Sequence, residues 1–254
     1  MSYAQTENQL AELKFSGMLH AYRELSDNPN WVEQSFDEKL AYLVNQEYER
    51  RMNNRVGTRI KEAQFKMRAY LQDILYEGRN INQELIQRFA RLHWVKNHEN
   101  IIITGATGTG KSFLAQALGD HACRHQLRVQ YYRIPELLAE LQFGRETNLY
   151  FRVRKKIQQR DILILDDWGM AKLDTLAGHE IAEIIEDRLG CQSTIVVSQF
   201  PVQNWGHIFE DKTTADAVMD RLVHVAYTIN LEGGSLRASR ASSELRQYKE
   251  NLLQ

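Results

Sequence analysis

The chain has 254 residues, of which 43% are hydrophobic and 26% are charged, and its formal net charge is −1. That length is enough for one large α/β domain with a smaller appendage. The near-balance of charge excludes a protein that attracts a polyanion through its overall charge, so any nucleic-acid surface has to be a local patch.

Cysteine usage and hydropathy point to the cytoplasm. Cys123 and Cys191 are the only cysteines in the sequence, and neither has the spacing of a metal site, so a disulfide framework and a zinc site are both disfavoured. No apolar run approaches the ~18 residues that a membrane span needs, and the N-terminus lacks the basic and apolar regions of a signal peptide. We therefore expect a cytoplasmic protein with no membrane partner.

The first ninety or so residues are predicted to be helical. The segments "TENQ" (6–9) and "SFDE" (35–38) fit the capping box, in which a hydroxyl and a Glu or Gln three residues later satisfy free backbone N–H groups. A further helix is predicted over 82–97. After the second capping box, apolar residues recur at helical spacing and predict an apolar stripe made of Phe36, Leu40, Leu43, Val44 and Tyr48.

From residue 100 the pattern changes to apolar strands that alternate with helices. Strands are predicted over 100–104, 127–134, 161–167, 193–200 and 223–231, and helices over 110–125, from the second strand through residue 159, and over 174–189. Apolar strands separated by helices predict an α/β fold with a five-stranded parallel sheet covered on both faces. A short helix or a frayed tail is predicted for 241–254.

The segment "GATGTGKS" (105–112) matches the phosphate loop G-x-x-x-x-G-K-[ST], with a predicted strand before it and a predicted helix after it. The glycines let successive N–H groups point at phosphate oxygens, and the helix adds its positive N-terminal end. Lys111 can reach the β- and γ-phosphates of a nucleoside triphosphate, and Ser112 can bind Mg²⁺. The predicted nucleotide-binding residues are Gly105, Ala106, Thr107, Gly108, Thr109, Gly110, Lys111, Ser112 and Phe113.

Two adjacent acids end the predicted strand "DILILDD" (161–167). In such folds the acid that ends this strand meets the Mg²⁺ held by the loop serine, so Asp166 is predicted to be a magnesium ligand. Asp167 is predicted to orient the attacking water, and the alternative is an acid that only supports Asp166. ATPases with an extra strand between the phosphate-loop strand and the acid strand usually have Glu here. The Asp carboxylate lies about 1.5 Å further back, and a displacement of about 1 Å can cost on the order of 10²-fold in rate.

Further polar residues are candidates for contact with the nucleotide. The strand in "STIVVSQF" ends between the phosphate loop and the acid strand, which makes Ser198 the first choice and Gln199 the second for the γ-phosphate or the attacking water. A hydroxyl that bonds to the backbone is the alternative. Arg221 ends a helix just before the fifth strand, where it can stabilise transition-state charge on a neighbouring subunit's nucleotide, and a surface ion pair is the alternative. Arg237 is a weaker candidate for a phosphate sensor.

The segment 50–68 contains seven basic residues and one acid, Glu62, so it carries +6 in a chain of −1. Such clustering is typical of a surface that contacts phosphates, and the scarcity of aromatic residues favours the backbone of duplex DNA over stacked bases. A solvated helix face whose long basic side chains cover apolar surface is the alternative. A second basic run, "RVRKK" (152–156), is a candidate for lining the channel of an assembled ring or helix. The predicted DNA-binding residues are Arg50, Arg51, Arg55, Arg59, Lys61, Lys66 and Arg68.

Together these segments resemble the IstB-like ATP-binding proteins. These are AAA+ helper ATPases encoded beside a transposase in bacterial insertion sequences, and they are close relatives of the DnaC and DnaI helicase loaders. The resemblance covers nearly the whole chain and is strongest over 90–240. The segments that carry it are "WVKNHENIIITGATGTGKSFLAQALG", "LILDDWG", "TIVVSQ", "DRLVHVAY" and "GGSLR".

The resemblance implies an AAA+ P-loop ATPase core with an α-helical N-terminal domain and without the full C-terminal lid domain. It divides the chain into residues 1–80 for DNA binding and assembly, 81–240 for the ATPase core and 241–254 for a helical tail. The residues that match the family's functional positions are Lys111 and Ser112 in the loop, Asp166 for Mg²⁺, Asp167 for catalysis, Ser198 as the first sensor and Arg221 as the arginine that acts in trans.

The resemblance also implies a function. The cofactors are ATP and Mg²⁺, and ATP hydrolysis is slow and stimulated by assembly on DNA. The partners are double-stranded DNA bound with little sequence preference, further copies of the chain in a ring or helix with ATP at the subunit interfaces, and a transposase that is activated at the target site. A replicative helicase loader is the alternative. A small-molecule kinase is disfavoured, because the sequence shows no lid segment that carries arginines.

Overall fold

The computed structural model describes residues 2–28 and 31–236. The chain divides into two compact units, Met1–Thr58 and Arg59–Gln254. Arg237 and the tail predicted over 241–254 lie outside the described residues. No helix among the described residues combines the length and the apolar character needed to cross a membrane.

The first unit consists of α1 (Tyr3–Glu12), α2 (Ser16–Asp27) and the first part of α3 (Phe36–Ala63). The capping box predicted before α3 is confirmed: the Ser35 hydroxyl accepts from the Glu38 N–H at 3.3 Å, and Glu38 accepts from the Ser35 N–H at 2.8 Å. The helix start predicted at residue 6 is wrong. The Ser2 hydroxyl already caps α1 by accepting from the Gln5 N–H at 3.3 Å, so the helix begins at the next residue.

A carboxylate that is 6% exposed connects α3 to α2. Glu47 accepts from the N–H groups of Gly17 and Met18 at 2.7 and 3.3 Å, in the first turn of α2, where backbone donors have no partner within the helix. Arg50 and Arg51 donate to the same carboxylate at 2.6 and 2.7 Å. The hydrogen bond from Arg50 is the main cause that lowers the pKa of Glu47 to about 2. Glu47 therefore joins the two helices as an ionised group at neutral pH.

The stripe predicted on α3 lies largely in solvent. Phe36, Val44 and Tyr48 are 76%, 52% and 61% exposed, and Leu40 is also exposed. The helix itself is confirmed. Its apolar periodicity does not mark a buried face in the described chain, because these side chains extend from the surface of the helix instead of joining a core.

The second unit is built on a five-stranded parallel sheet, as predicted. Its strands are β1 (Asn100–Gly105), β2 (Val129–Arg133), β3 (Ile162–Trp168), β4 (Ser193–Ser198) and β5 (Ala226–Leu231). They lie in the order β2-β3-β4-β1-β5, and each neighbouring pair is parallel. The strand β4 therefore lies between the phosphate-loop strand β1 and the acid-bearing strand β3. This is the arrangement that the assignment of Asp167 presupposes.

Helices cover both faces of this sheet. They are α4 (Gln83–Ala90), α5 (His93–Lys96), α6 (Lys111–Arg124), α7 (Ile134–Glu146), α8 (Tyr150–Gln158), α9 (Thr175–Arg188) and α10 (Lys212–Val223), with 3₁₀ helices at Leu71–Asp73 and Val202–Ile208. Residues of β1 alternate between the two cores, with Ile101 and Ile103 on one face and Ile102 on the other. Burial on both faces explains why the strands are continuous apolar runs in the sequence.

The single helix predicted over 82–97 is wrong, because the chain breaks at Leu92. This residue has a left-handed backbone with φ of 58° and separates α4 from α5. The break lets Leu92, Trp94 and Val95 all become buried, and the Trp94 indole donates to the Phe89 carbonyl at 3.1 Å across it. Burial of three large side chains outweighs the local backbone cost, which is about 1–2 kcal/mol for one left-handed residue.

Residues 59–80 belong to the second unit, whereas the predicted N-terminal domain extends to residue 80. Ala63 and Ile74 are buried in the core that contains Ile101 and Ile103, and Phe65 packs against the same core. Burial of this apolar surface against the sheet places the segment with the second unit. The division of the chain by function stays a prediction.

Candidate nucleotide-binding site

A pocket of about 590 Å³ opens at the carboxyl ends of the strands in the second unit. Its walls are the phosphate loop after β1, the acids at the end of β3, the ends of β2 and β4, and residues between 66 and 81. Ligands of open α/β sheets bind outside the carboxyl ends of the strands. The volume is within the ~300–1,000 Å³ that is ordinary for ligand pockets. This pocket is therefore the candidate nucleotide site.

The phosphate loop has a backbone that requires glycine at two positions. Gly105 has φ of 141°, and a Cβ there would lie 2.2 Å from the Leu231 carbonyl oxygen. Gly108 has φ of 84°, and a Cβ there would lie 2.3 Å from the Ser235 hydroxyl. Lys111 begins α6, and its ammonium donates to the Ala106 carbonyl at 2.8 Å, so the side chain folds back along the loop.

Asp166 lies at the pocket wall with its side chain almost fully buried, at 4% exposure. One carboxylate oxygen accepts from the Tyr131 hydroxyl at 2.8 Å, and the other accepts from the Asp167 N–H at 2.8 Å. Burial, with the Asp166 charge as the next cause, raises the pKa of Tyr131, so its hydroxyl remains a donor. A carboxylate and the Ser112 hydroxyl are hard oxygen ligands of the kind that Mg²⁺ prefers. Both line this pocket, and the donor set therefore fits the metal.

Asp167 has a conformation that a regular strand would not give it. Its φ is 59°, and the pairing of β3 with β4 shifts register between Leu165 and Trp168. Its carboxylate forms an ion pair with Arg133, the last residue of β2, and this hydrogen bond is the main cause that raises the pKa of Arg133. Arg133 was not among the site residues predicted from the sequence. Its signal was its position at the end of a predicted strand that is parallel to the acid strand.

The two candidates at the end of β4 have different partners. The Ser198 hydroxyl donates to the Trp168 carbonyl at 2.8 Å and accepts from the Phe200 N–H at 3.1 Å. Ser198 therefore bonds to the backbone, as in the alternative considered for it from the sequence. Gln199 accepts from the hydroxyl of Thr107, in the phosphate loop, at 2.6 Å. Both residues line the pocket. The side chain that contacts the loop is the second choice, Gln199.

Arg221 lies in the last turn of α10 and does not line the pocket. It forms an ion pair with Glu186 and donates to the Ala217 carbonyl at 2.9 Å, so the surface ion pair considered as its alternative is present. The side chain is 31% exposed and remains accessible. Its absence from the lining of its own pocket is compatible with a role in trans, which stays a prediction.

Residues between 66 and 81 form a wall of the pocket that was not predicted from the sequence. The amide oxygen of Gln116, in α6, accepts from the N–H groups of Lys66 and Met67 at 2.7 and 3.2 Å. Arg79 donates to the carbonyls of Thr109 and Gly234, and thus connects this segment to the phosphate loop. No local motif marks such a wall, because it is held by side chains distant in the sequence. Asp73, Ile74, Leu75 and Ile81 complete it.

The predicted DNA-binding residues have unequal surroundings. Arg50 and Arg51 pair with Glu47, as described above. Arg59 donates to the Gln126 carbonyl. Lys66 lines the nucleotide pocket and pairs with Glu136 at 3.0 Å. The side chains that are exposed and form no ion pair within the described part of the chain are Arg55, Lys61 and Arg68.

Comparisons with known proteins agree with this geometry. The family model of IstB-like ATP binding proteins matches residues 8–244. A putative insertion sequence ATP-binding protein of Sinorhizobium fredii is 38% identical over 236 residues, which cover 92% of this chain and 96% of that protein. The crystal structure of DnaI is similar with a TM-score of 0.56 and 24% identity, covering 65% of this chain and 92% of that chain. AMPPCP-bound DnaA from Aquifex aeolicus has a TM-score of 0.57 and 19% identity, covering 72% of this chain and 56% of that chain. At these identities the two structures show the fold alone, which is the AAA+ P-loop domain.

Proposed function

Because the chain belongs to the family of IstB-like ATP-binding proteins, we propose that it is a cytoplasmic, ATP-dependent regulator of DNA transposition. It self-assembles on duplex DNA, recruits and activates its partner transposase at the target site, and controls the assembly by Mg²⁺-dependent ATP hydrolysis. The observation that carries the proposal is the meeting of the phosphate loop and two adjacent acids in one pocket. Relatives named as insertion sequence ATP-binding proteins support the link to transposition.

In this proposal the phosphates of ATP lie on the loop of residues 105–112. The N–H groups of the loop and the N-terminus of α6 bind phosphate oxygens, and Lys111 neutralises charge on the β- and γ-phosphates. A phosphate oxygen can replace the Ala106 carbonyl as acceptor for Lys111, because a hydrogen bond between two charged groups is the stronger one. The base and ribose then lie against the wall between residues 66 and 81.

Ser112 and Asp166 are the residues that would hold Mg²⁺, which when bound neutralises charge that develops on the phosphates. The Tyr131 hydroxyl and the Asp167 N–H each bond to one oxygen of Asp166 and fix the orientation of its carboxylate. Asp167 accepts a hydrogen bond from the attacking water and aligns it with the γ-phosphate. Gln199, bonded to the loop through Thr107, is the side chain best placed to contact the same water or phosphate. Arg221 of one subunit stabilises transition-state charge at the nucleotide of the next.

Binding of DNA is proposed for the basic segment, chiefly for its exposed members Arg55, Lys61 and Arg68. These side chains have no carboxylate partner within the described residues, so they can neutralise DNA phosphates without first breaking an ion pair. Arg50 and Arg51 can still contribute, since their partner Glu47 is shared between them. Contacts to phosphates without base contacts predict little sequence preference.

Light scattering of the full chain with duplex DNA and Mg²⁺ tests the proposal. With ATP, the wild-type chain forms large assemblies, and Lys111→Ala does not, because it loses the charge that binds the β- and γ-phosphates. Lys96→Ala removes one exposed lysine that does not line the nucleotide pocket and serves as the matched control. Wild-type chains that remain monomeric with both ATP and DNA would contradict the proposal.

The alternative of a replicative helicase loader has no observation of its own in its favour. The likeness to DnaI shows the AAA+ fold, which both functions share. A reading frame beside the gene that encodes a transposase with a D-D-E-type acidic site would favour transposition, and its absence would favour the loader.

A further inference from the structure

A second cavity, of about 270 Å³, lies at the end of the sheet opposite to the nucleotide pocket. Two of its lining residues, Arg128 and Arg160, precede β2 and β3, so the cavity is at the amino ends of these strands. Five of its six lining residues are basic, and none of the six lines the nucleotide pocket. We call it the basic cavity, and its lining residues are Arg128, Arg152, Lys155, Lys156, Gln159 and Arg160.

One face of α8 supplies most of this cavity. Lys155 and Lys156 follow Arg152 by three and four residues, and Gln159 follows Lys155 by four. At this spacing the four side chains project from the same side of the helix. Arg154 belongs to the same basic run but does not line the cavity. It pairs instead with Glu183 and Asp187, toward α9. The positive charge at the cavity therefore belongs to a defined face and is not a property of the whole run.

The cavity keeps a surplus of positive charge after its ion pairs are counted. Three of its basic residues have a carboxylate partner: Arg128 with Asp161 at 3.3 Å, Lys156 with Glu140 at 3.3 Å and Arg160 with Glu62 at 3.0 Å. Arg152 and Lys155 have none within the described residues. Five basic groups and three acids leave +2 around one small cavity. Like charges held this close repel one another unless an anion lies between them.

Arg160 carries a polar atom without a partner. Its side chain is only 13% exposed, and its Nε is fully buried and has no hydrogen-bond acceptor within the part of the chain that is described. Buried N–H groups almost always have an acceptor. The unpaired Nε leaves the guanidinium charge of Arg160 only partly compensated, which adds to the positive potential that favours an anion in the cavity.

We propose that the basic cavity binds a phosphate group of the DNA backbone. Planar guanidinium groups match the geometry of phosphate oxygens, and the three arginines and two lysines of the cavity can surround one phosphate from different directions. Among the described residues, none that lines the cavity is an aromatic on which a base could stack. Its volume is below the ~300–1,000 Å³ of pockets that enclose a whole small ligand. A phosphate within a chain fits, with the sugars and bases outside.

This inference rests on the proposed binding of DNA, and it adds a second point of contact that belongs to the ATPase core. The basic segment of residues 50–68 and the basic cavity are separate in sequence and have no lining residue in common. Two contact regions on one chain let a DNA backbone be held at more than one phosphate per subunit. The number of phosphates contacted sets the salt dependence of binding.

The test compares Arg152→Ala/Lys155→Ala with the control Arg91→Ala/Lys96→Ala, in the full chain. Each double variant removes one exposed arginine and one exposed lysine that form no ion pair within the described residues, so their net charges are equal. Anisotropy of a labelled duplex is measured with ATP at several salt concentrations. One lost phosphate contact lowers the slope of log K against log salt by about 0.9 and weakens binding about 8-fold at 0.1 M salt. We expect this change in the first variant and not in the control.

One further measurement distinguishes a DNA phosphate from a free anion, and the outcomes together distinguish failure of this inference from failure of the proposed function. Inorganic phosphate is titrated against each variant at constant ionic strength. A variant that loses inorganic phosphate binding but keeps the wild-type affinity and salt slope for DNA would assign the cavity to a free anion and overturn the inference. Equal slopes for wild type and variant, with DNA still bound, would also overturn it and leave the proposed function intact. A wild-type chain that binds no DNA would overturn both.

Discussion

The ion pair between Arg133 and Asp167 predicts how the rate of ATP hydrolysis responds to a single substitution. While the pair holds, one carboxylate oxygen of the proposed water-orienting acid is occupied by a guanidinium. That oxygen is then less available to accept a hydrogen bond from the attacking water. We therefore expect Arg133→Gln, which retains a polar side chain without the charge, to increase the basal ATPase rate.

The size of the increase follows from how exposed the pair is. The side chains of Arg133 and Asp167 are 52% and 24% exposed, so solvent screens their attraction. Exposed ion pairs contribute about 0.2–1 kcal/mol. If breaking the pair is part of the barrier, its removal raises kcat by about 1.4- to 5-fold, since each 1.36 kcal/mol corresponds to tenfold. A larger increase would require a more buried pair than this one.

Phosphate release at saturating ATP and Mg²⁺, without DNA, measures the effect. The control is Arg124→Gln, because Arg124 is 49% exposed, pairs with Asp120 and lies in the last turn of α6. We expect its kcat to equal that of the wild type. A tenfold or greater loss of kcat in Arg133→Gln, with an unchanged melting temperature, would refute the reasoning. It would show that the Arg133 charge assists the reaction instead of restraining Asp167.

Two further predictions concern carboxylates. Asp167→Asn is expected to bind ATP and to assemble on DNA as the wild type does, with turnover reduced about 10²-fold; loss of binding of a fluorescent ATP analogue would mean that the roles of Asp166 and Asp167 are reversed. Because the folded-state pKa of Glu47 is depressed from 4.5 to about 2, its contribution to stability is present above pH 4.5 and is lost as the pH falls toward 2. Circular-dichroism melts should show that this acid dependence is smaller in Glu47→Gln, and an equal dependence in both proteins would contradict the assignment.

The fold could be predicted from the sequence wherever one local pattern determines one element. Strands buried on both faces appear as continuous apolar runs such as "DILILDD", and the phosphate loop identifies the strand and the helix beside it. The pattern failed where tertiary packing overrides it. Leu92 adopts a left-handed conformation inside a helical sequence, because burial of its side chain in the folded core stabilises that conformation. The apolar stripe on α3 was a wrong prediction for a different reason. Helical spacing of apolar residues does not show whether another surface is present to bury them.

The candidate site could be predicted only as far as its residues are contiguous. Gly105–Ser112 and the acids at 166 and 167 are local motifs, and residues 107–112 line one pocket together with both acids. Arg133 and the wall at 66–81 reach the pocket through the parallel order of the strands and through the buried amide of Gln116. None of these contacts has a sequence spacing that could be searched for. Glu47 is a similar case, because its partners at the start of α2 are thirty residues away.

The short side chain of Asp167 can be accommodated in three ways. The backbone moves the carboxylate forward, the enzyme tolerates slow hydrolysis, or another group positions the water. The backbone does depart from a regular strand here, with a φ of 59° that costs about 1 kcal/mol and persists only where the surroundings require it. The third way has a candidate in Gln199. Its amide oxygen is bonded to Thr107 of the phosphate loop, while its amide nitrogen is 3.1 Å from the sulfur of Met170, which is a weak acceptor. We infer that this N–H can exchange the sulfur for a phosphate or water oxygen, so that Asp167 and Gln199 together do what a single Glu does in ATPases with the longer acid.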